Sequence, residues 1–93
     1  MASVPVAQRD ARLLRAGRDV LSRYRFVELE PGLYRVEGGS KDYTLRLSMD
    51  GSAAPVCSCP DNQRAHIAGF CKHAIAGLMR EPALRYQLLE LFL

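Results

Sequence analysis

Residues 56–79 read VCSCPDNQRAHIAGFCKHAIAGLM, and this stretch decides the fold. Cys57-Ser58-Cys59 and Cys71-Lys72-His73 are two donor pairs separated by eleven residues, together three thiols and one imidazole. Thiolate and imidazole nitrogen are the donors that suit Zn2+, and four of them complete a tetrahedral shell. A turn at each pair can bring its two donors round one ion where a straight strand could not, and Pro60 helps end the first turn. The second pair opens a helix, so the free N–H groups of its first turn can face thiolate sulfur. The expected ligands are therefore Cys57, Cys59, Cys71 and His73, holding one structural Zn2+ per chain. His66 is a fifth donor between the pairs. It can replace His73, support a ligand from outside the shell, or stand on the loop surface.

Outward from this stretch, the chain before it changes period twice. In residues 6–24, VAQRDARLLRAGRDVLSRY, apolar side chains recur at three- and four-residue steps. At about 100° per residue, Val6, Leu13, Leu14, Gly17, Val20, Leu21 and Tyr24 fall within an arc of roughly 120°. The arginines from Arg9 to Arg23 take the opposite half. From Arg25 to about Met49 the period is two, in RFVELE, LYRVEG and YTLRLSM, with Tyr43, Leu45, Leu47 and Met49 the strongest alternation. Pro31-Gly32 suits the centre of a type II turn, and Gly38-Gly39-Ser40 supplies the next reversal. A three-stranded antiparallel meander results, whose apolar face the N-terminal helix is suited to cover.

After the second donor pair, helices are predicted at about 71–80 and 82–92, with Pro82 in the first turn of the last one. That last helix is apolar on two sides: Leu84, Leu88, Leu91 and Phe92 on one, Tyr86, Leu89 and Leu93 on the other. One side packs, and the other is either covered by a protein partner or a second copy of the chain or buried within the chain itself. The fold class expected is α+β: an N-terminal helix on a three-stranded antiparallel meander, then a zinc-organised loop and two C-terminal helices.

The 93 residues, 48% hydrophobic and 25% charged, are enough for one small globular domain over 1–93 and too few for two independent cores. No apolar run approaches the roughly 20 residues needed to cross a bilayer, and no apolar signal core opens the chain. A cytoplasmic location with no membrane contact is expected. The odd count of three cysteines leaves a thiol over from any disulfide framework, which also favours metal. The Cys-x-Cys spacing lacks the strand context of a redox Cys-x-x-Cys. The net charge of +3 is concentrated at the front: residues 1–25 hold six arginines against Asp10 and Asp19, while the remainder has seven cations and eight anions. Eleven of the thirteen cations are arginine, whose fork holds phosphate oxygens bidentately. Arg9, Arg12, Arg15, Arg18 and Arg23 are thus candidate contacts to DNA or RNA.

The run CSCPDNQRAHIAGFCKHAIAGLM, a Cys-x-Cys followed after a spacer by Cys-x-His, resembles the SWIM zinc finger. Ser58, Pro60, Asp61 and Lys72 fit that family's texture, and the resemblance spans about residues 33–79, flanked by the helices at about 6–24 and 82–92. It implies a β-β-α module with Cys57, Cys59, Cys71 and His73 as zinc ligands. It also implies a DNA- or protein-interaction role, as in transposases, chromatin-remodelling ATPases, recombination accessory proteins and ubiquitin ligases, whose activities reside in other domains. The expected function is a DNA-binding accessory module, the alternative a protein-interaction adaptor or homodimerising subunit. An enzyme is not expected, because four protein donors close a zinc shell to substrate.

Overall fold

The computed structural model describes the backbone of residues 4–65 and 67–92 and the side chains of residues 11–65 and 67–90. Val6, Arg9, His66, Leu91, Phe92 and Leu93 therefore lie outside the described side chains. The elements follow the expected order: α1 (Val4–Arg23), β1 (Arg25–Glu30), β2 (Leu33–Glu37), β3 (Tyr43–Arg46), β4 (Val56–Cys57), α2 (Lys72–Arg80), a 3₁₀ turn (Pro82–Leu84) and α3 (Tyr86–Phe92). The predicted final helix is thus divided into a 3₁₀ turn and a short α-helix.

The meander is present and gains a short fourth strand, giving an antiparallel sheet in the order β1-β2-β3-β4. Gly32 turns the first hairpin at φ 81° and Gly38 stands at φ 127° in the second reversal. At Gly32 a side chain would also meet the Leu47 carbonyl oxygen at 2.7 Å. Strand β3 ends at Arg46, three residues before the sequence alternation does. Leu47 is still buried, but Met49 is half exposed, because Ser48, Asp50 and Ser52 close a turn through side-chain hydrogen bonds to Asp50 Oδ1 at 2.8 and 3.0 Å. Gln87 of α3 secures that turn by donating to the Ser48 carbonyl oxygen at 2.8 Å.

One face of the sheet, carrying Tyr34, Val36, Leu45 and Cys57, is buried. Its cover is α2, in which every residue from His73 to Leu78 is buried. Gly77 permits the approach: a Cβ there would lie 2.8 Å from Leu45 Cδ2 and 3.1 Å from Leu47 Cδ1. Helix α1 packs chiefly on the other side of α2, with Gly17 so near Ile75 that a Cβ would lie 2.6 Å from Ile75 Cγ2. The helical wheel holds for the described residues: Gly17 and Val20 are buried, Leu13, Leu14 and Tyr24 half-buried, and Arg12, Arg15, Arg18 and Arg23 exposed. Leu21, at the margin of the stripe, is exposed. No helix among the described residues is long and apolar enough to cross a membrane.

Candidate metal centre

Cys57 ends β4, which pairs Leu45 with Cys57 and Arg46 with Val56. The pairing is extended by Ser58, whose N–H donates to the Thr44 carbonyl oxygen at 2.9 Å and whose Oγ accepts from the Thr44 N–H at 2.9 Å. The first donor pair is therefore half strand and half turn, rather than wholly in a turn. A strand would send Cys57 and Cys59 to the same face, and the turn that begins past Ser58 draws Cys59 round to its partner.

The loop from Pro60 to Phe70 returns the chain to the same point. Gly69, at φ 92°, is essential to that return: a side chain there would also lie 2.8 Å from the Pro55 carbonyl oxygen. Asn62, 1% exposed, ties the loop together. Its Nδ2 donates to the Gly69 carbonyl oxygen at 2.9 Å and to Cys71 Sγ at 3.5 Å, while its main-chain carbonyl oxygen accepts from the Gly69 N–H at 2.9 Å. Cys71 then caps α2, its carbonyl accepting from Ile75 N–H at 3.0 Å, and His73 follows in the first turn.

One donor atom from each of Cys57, Cys59, Cys71 and His73 lies within 4.8 Å of all the others, and all four residues are buried. Donors bound to one tetrahedral zinc at about 2.0–2.3 Å stand roughly 3.3–3.8 Å apart. The Cys57 Sγ to His73 Nδ1 separation of 3.8 Å matches that spacing. The spacing, the burial and the donor chemistry together fit one structural metal ion. The four residues that the sequence singled out for ligation are the four that the fold brings together.

Cys71 is held below the usual thiol range, first by the Cys57 thiol that donates to it and then by His73, Asn62 and the Ala74 N–H acting against burial. Cys57 is pushed up, because its proton is engaged by Cys71 and because it is buried. Cys59 is raised chiefly by burial. Three sulfurs in one apolar pocket do not ionise together unless a cation compensates them, and a divalent ion does so while displacing the remaining protons.

His73 is oriented in an unusual way. Metal-bound imidazoles generally donate their second ring nitrogen to a carboxylate, a carbonyl or water. Here Nε2 is buried and has no hydrogen-bond partner among the described residues. The ring instead packs against Tyr24, 5.7 Å away centroid to centroid, and Tyr43 at 5.1 Å. Sequence reasoning missed Asn62, Tyr24 and Tyr43. Asn62 carries no signal in a polar loop, and the tyrosines were legible only as apolar positions of a helix and a strand. His66 lies outside the described residues.

Away from the centre, five arginines outside α1 have carboxylate partners. Arg25 and Arg35 approach Glu37 at 4.0 and 2.6 Å, Arg46 meets Glu30 at 3.6 Å, Arg64 meets Asp61 at 3.0 Å, and Arg80 meets Glu81 at 3.9 Å. Among the described residues, Arg12, Arg15, Arg18 and Arg23 of α1 form no ion pair, and neither do Lys41, Lys72 and Arg85, the last donating instead to the Met79 carbonyl oxygen at 2.8 Å. Lys72 lies beside α1, lining a shallow pocket with Ala16, Asp19, Val20, Arg23 and Tyr24.

The fold and site define a small α+β domain organised round a three-cysteine, one-histidine centre. Comparison with protein-family models, curated proteins and solved structures finds no match to this chain.

Proposed function

We propose that this chain is a zinc-stabilised binding module of the SWIM type, acting as a nucleic-acid-binding accessory protein through helix α1, with DNA as the first partner. The observation that carries this reading is the separation of the cations. Five of the six arginines outside α1 have a carboxylate within 4.0 Å, whereas Arg12, Arg15, Arg18 and Arg23 of α1 stand exposed together without partners among the described residues. Partnerless guanidinium groups on one helix face suit the phosphate backbone, where contact fixes position rather than sequence. The buried four-donor centre has a structural part in this reading: zinc folds the module, and a closed shell offers no position to substrate. Thiol ligands of this kind belong in a reducing compartment such as the cytoplasm.

Asp19 interrupts the basic face, sharing one shallow pocket with Arg15, Arg18 and Ser22 and another with Arg23 and Lys72. Titration of duplex DNA against salt tests the reading. About four phosphate contacts give a log–log slope near −4. Arg12→Glu with Arg15→Glu should weaken binding at least about tenfold at low salt and flatten the slope, whereas Asp19→Asn should tighten binding. Binding that ignores both salt and these substitutions would overturn it. The adaptor reading rests on a different observation. Leu21, Met79, Leu88 and Leu89 line an apolar depression edged by Arg85, and Leu89 is 64% exposed. Salt-resistant association that Leu89→Lys abolishes would favour that reading.

A further inference from the structure

We infer that Tyr24 couples the metal centre to the arginine face of α1, so that metal occupancy sets how firmly the face is presented. The coupling rests on the reading of that face as a phosphate-binding surface. Tyr24 follows the last residue of α1, and its N–H continues the helical pattern by donating to the Val20 carbonyl oxygen at 2.8 Å. Its ring lies 5.7 Å from that of His73, centroid to centroid. The ring also borders the second hairpin, where a Cβ at Gly39 would lie 3.1 Å from the tyrosine Oη and one at Gly38 3.7 Å from the tyrosine Cγ. Tyr24 therefore neighbours both a candidate metal ligand and a glycine turn.

The other side of the coupling is the way His73 is held. With Nε2 lacking a hydrogen-bond partner among the described residues, the imidazole takes its orientation from the two tyrosine rings and from whatever Nδ1 binds. An ion held by Cys57, Cys59, Cys71 and His73 would fix the ring, the fixed ring would give Tyr24 a rigid wall, and Tyr24 would pin the final turn of α1, which carries Arg23 beside Lys72. Tyr24 is a positioning residue, since it acts through His73 and the last turn of α1. Linkage requires the effect to be reciprocal: if metal improves binding of phosphate backbone by some factor, bound duplex improves metal affinity by the same factor.

The experiment uses the zinc-loaded full chain, a short DNA duplex and a chromophoric chelator as competitor for zinc. Wild type, Tyr24→Phe and Tyr24→Leu are compared; the Leu variant keeps an apolar side chain and loses the ring. Tyr24→Phe should behave as wild type. Tyr24→Leu, loaded with one zinc by native mass spectrometry, should bind duplex about tenfold more weakly, and duplex should no longer raise its zinc affinity as it does in wild type. Faster amide exchange at Ser22 to Tyr24 should accompany the change. Should loaded Tyr24→Leu bind duplex as tightly as wild type with unchanged exchange at those amides, the coupling is overturned. Absence of duplex binding by loaded wild type would overturn the reading of the arginine face instead. The amide exchange of loaded Tyr24→Leu would then decide the coupling alone, unchanged exchange sinking it.

Discussion

At the scale of single residues, the centre depends on groups that bind no metal. Asn62 is the clearest case, because one buried amide holds Gly69 and approaches Cys71 Sγ at once. Replacing it with alanine leaves a buried carbonyl and a sulfur without their donor, at a cost of about 1–3 kcal/mol. Substitution of such a supporting group lowers metal affinity roughly 10- to 100-fold. Asn62→Ala should therefore still bind one zinc and release it to a competing chelator at lower chelator concentration than wild type, with a reduced melting temperature. An unchanged competition curve would remove Asn62 from the account. The ligands themselves were legible from spacing, since donor chemistry is written in residue type. Asn62 was not, because what distinguishes it is burial, and burial arises only when the loop closes on α2.

At the scale of elements, α2 is the hinge of the packing, with the sheet against one side and α1 against the other. Both approaches use glycine. At Gly17, alanine would gain up to about 1 kcal/mol of helix propensity. Its Cβ, however, would lie 2.6 Å from Ile75 Cγ2 and 3.0 Å from Ile75 Cβ, on a residue that is itself fully buried. Overpacking of this kind costs typically about 1–3 kcal/mol, so the clash outweighs the propensity. Gly17→Ala should lower stability in denaturant titration. Ile75→Ala, destabilising alone, should cost less in the Gly17→Ala background, and strict additivity of the two would refute the contact. The wheel had placed Gly17 on the buried face of α1. It had also set that face toward the meander, whereas its main neighbour is α2. Hydrophobic periodicity identifies which side of a helix is covered without identifying the cover.

At the scale of the whole molecule, the two ligands near the start of α2 tie metal binding to overall stability. Zinc binding in small modules is worth on the order of 10–16 kcal/mol, as large as the roughly 5–15 kcal/mol stability of an entire domain. Chelation should therefore unfold at least residues 55–80, read as lost amide protection across that segment. Cys71→Ser should reproduce the loss, and Arg12→Glu should leave zinc content intact. Protection that survives complete chelation would contradict a structural role for the ion. The order of elements, the α+β class, the donor set and the cationic face of α1 were all determined by the sequence alone, because each depends on residue type and short-range period. Tertiary structure decided the rest: the short strand that carries Cys57, the place of α2 between α1 and the sheet, the amide of Asn62 and the tyrosines about His73. These are contacts between segments far apart in the chain, chosen by which surfaces fit together, and no local pattern encodes them.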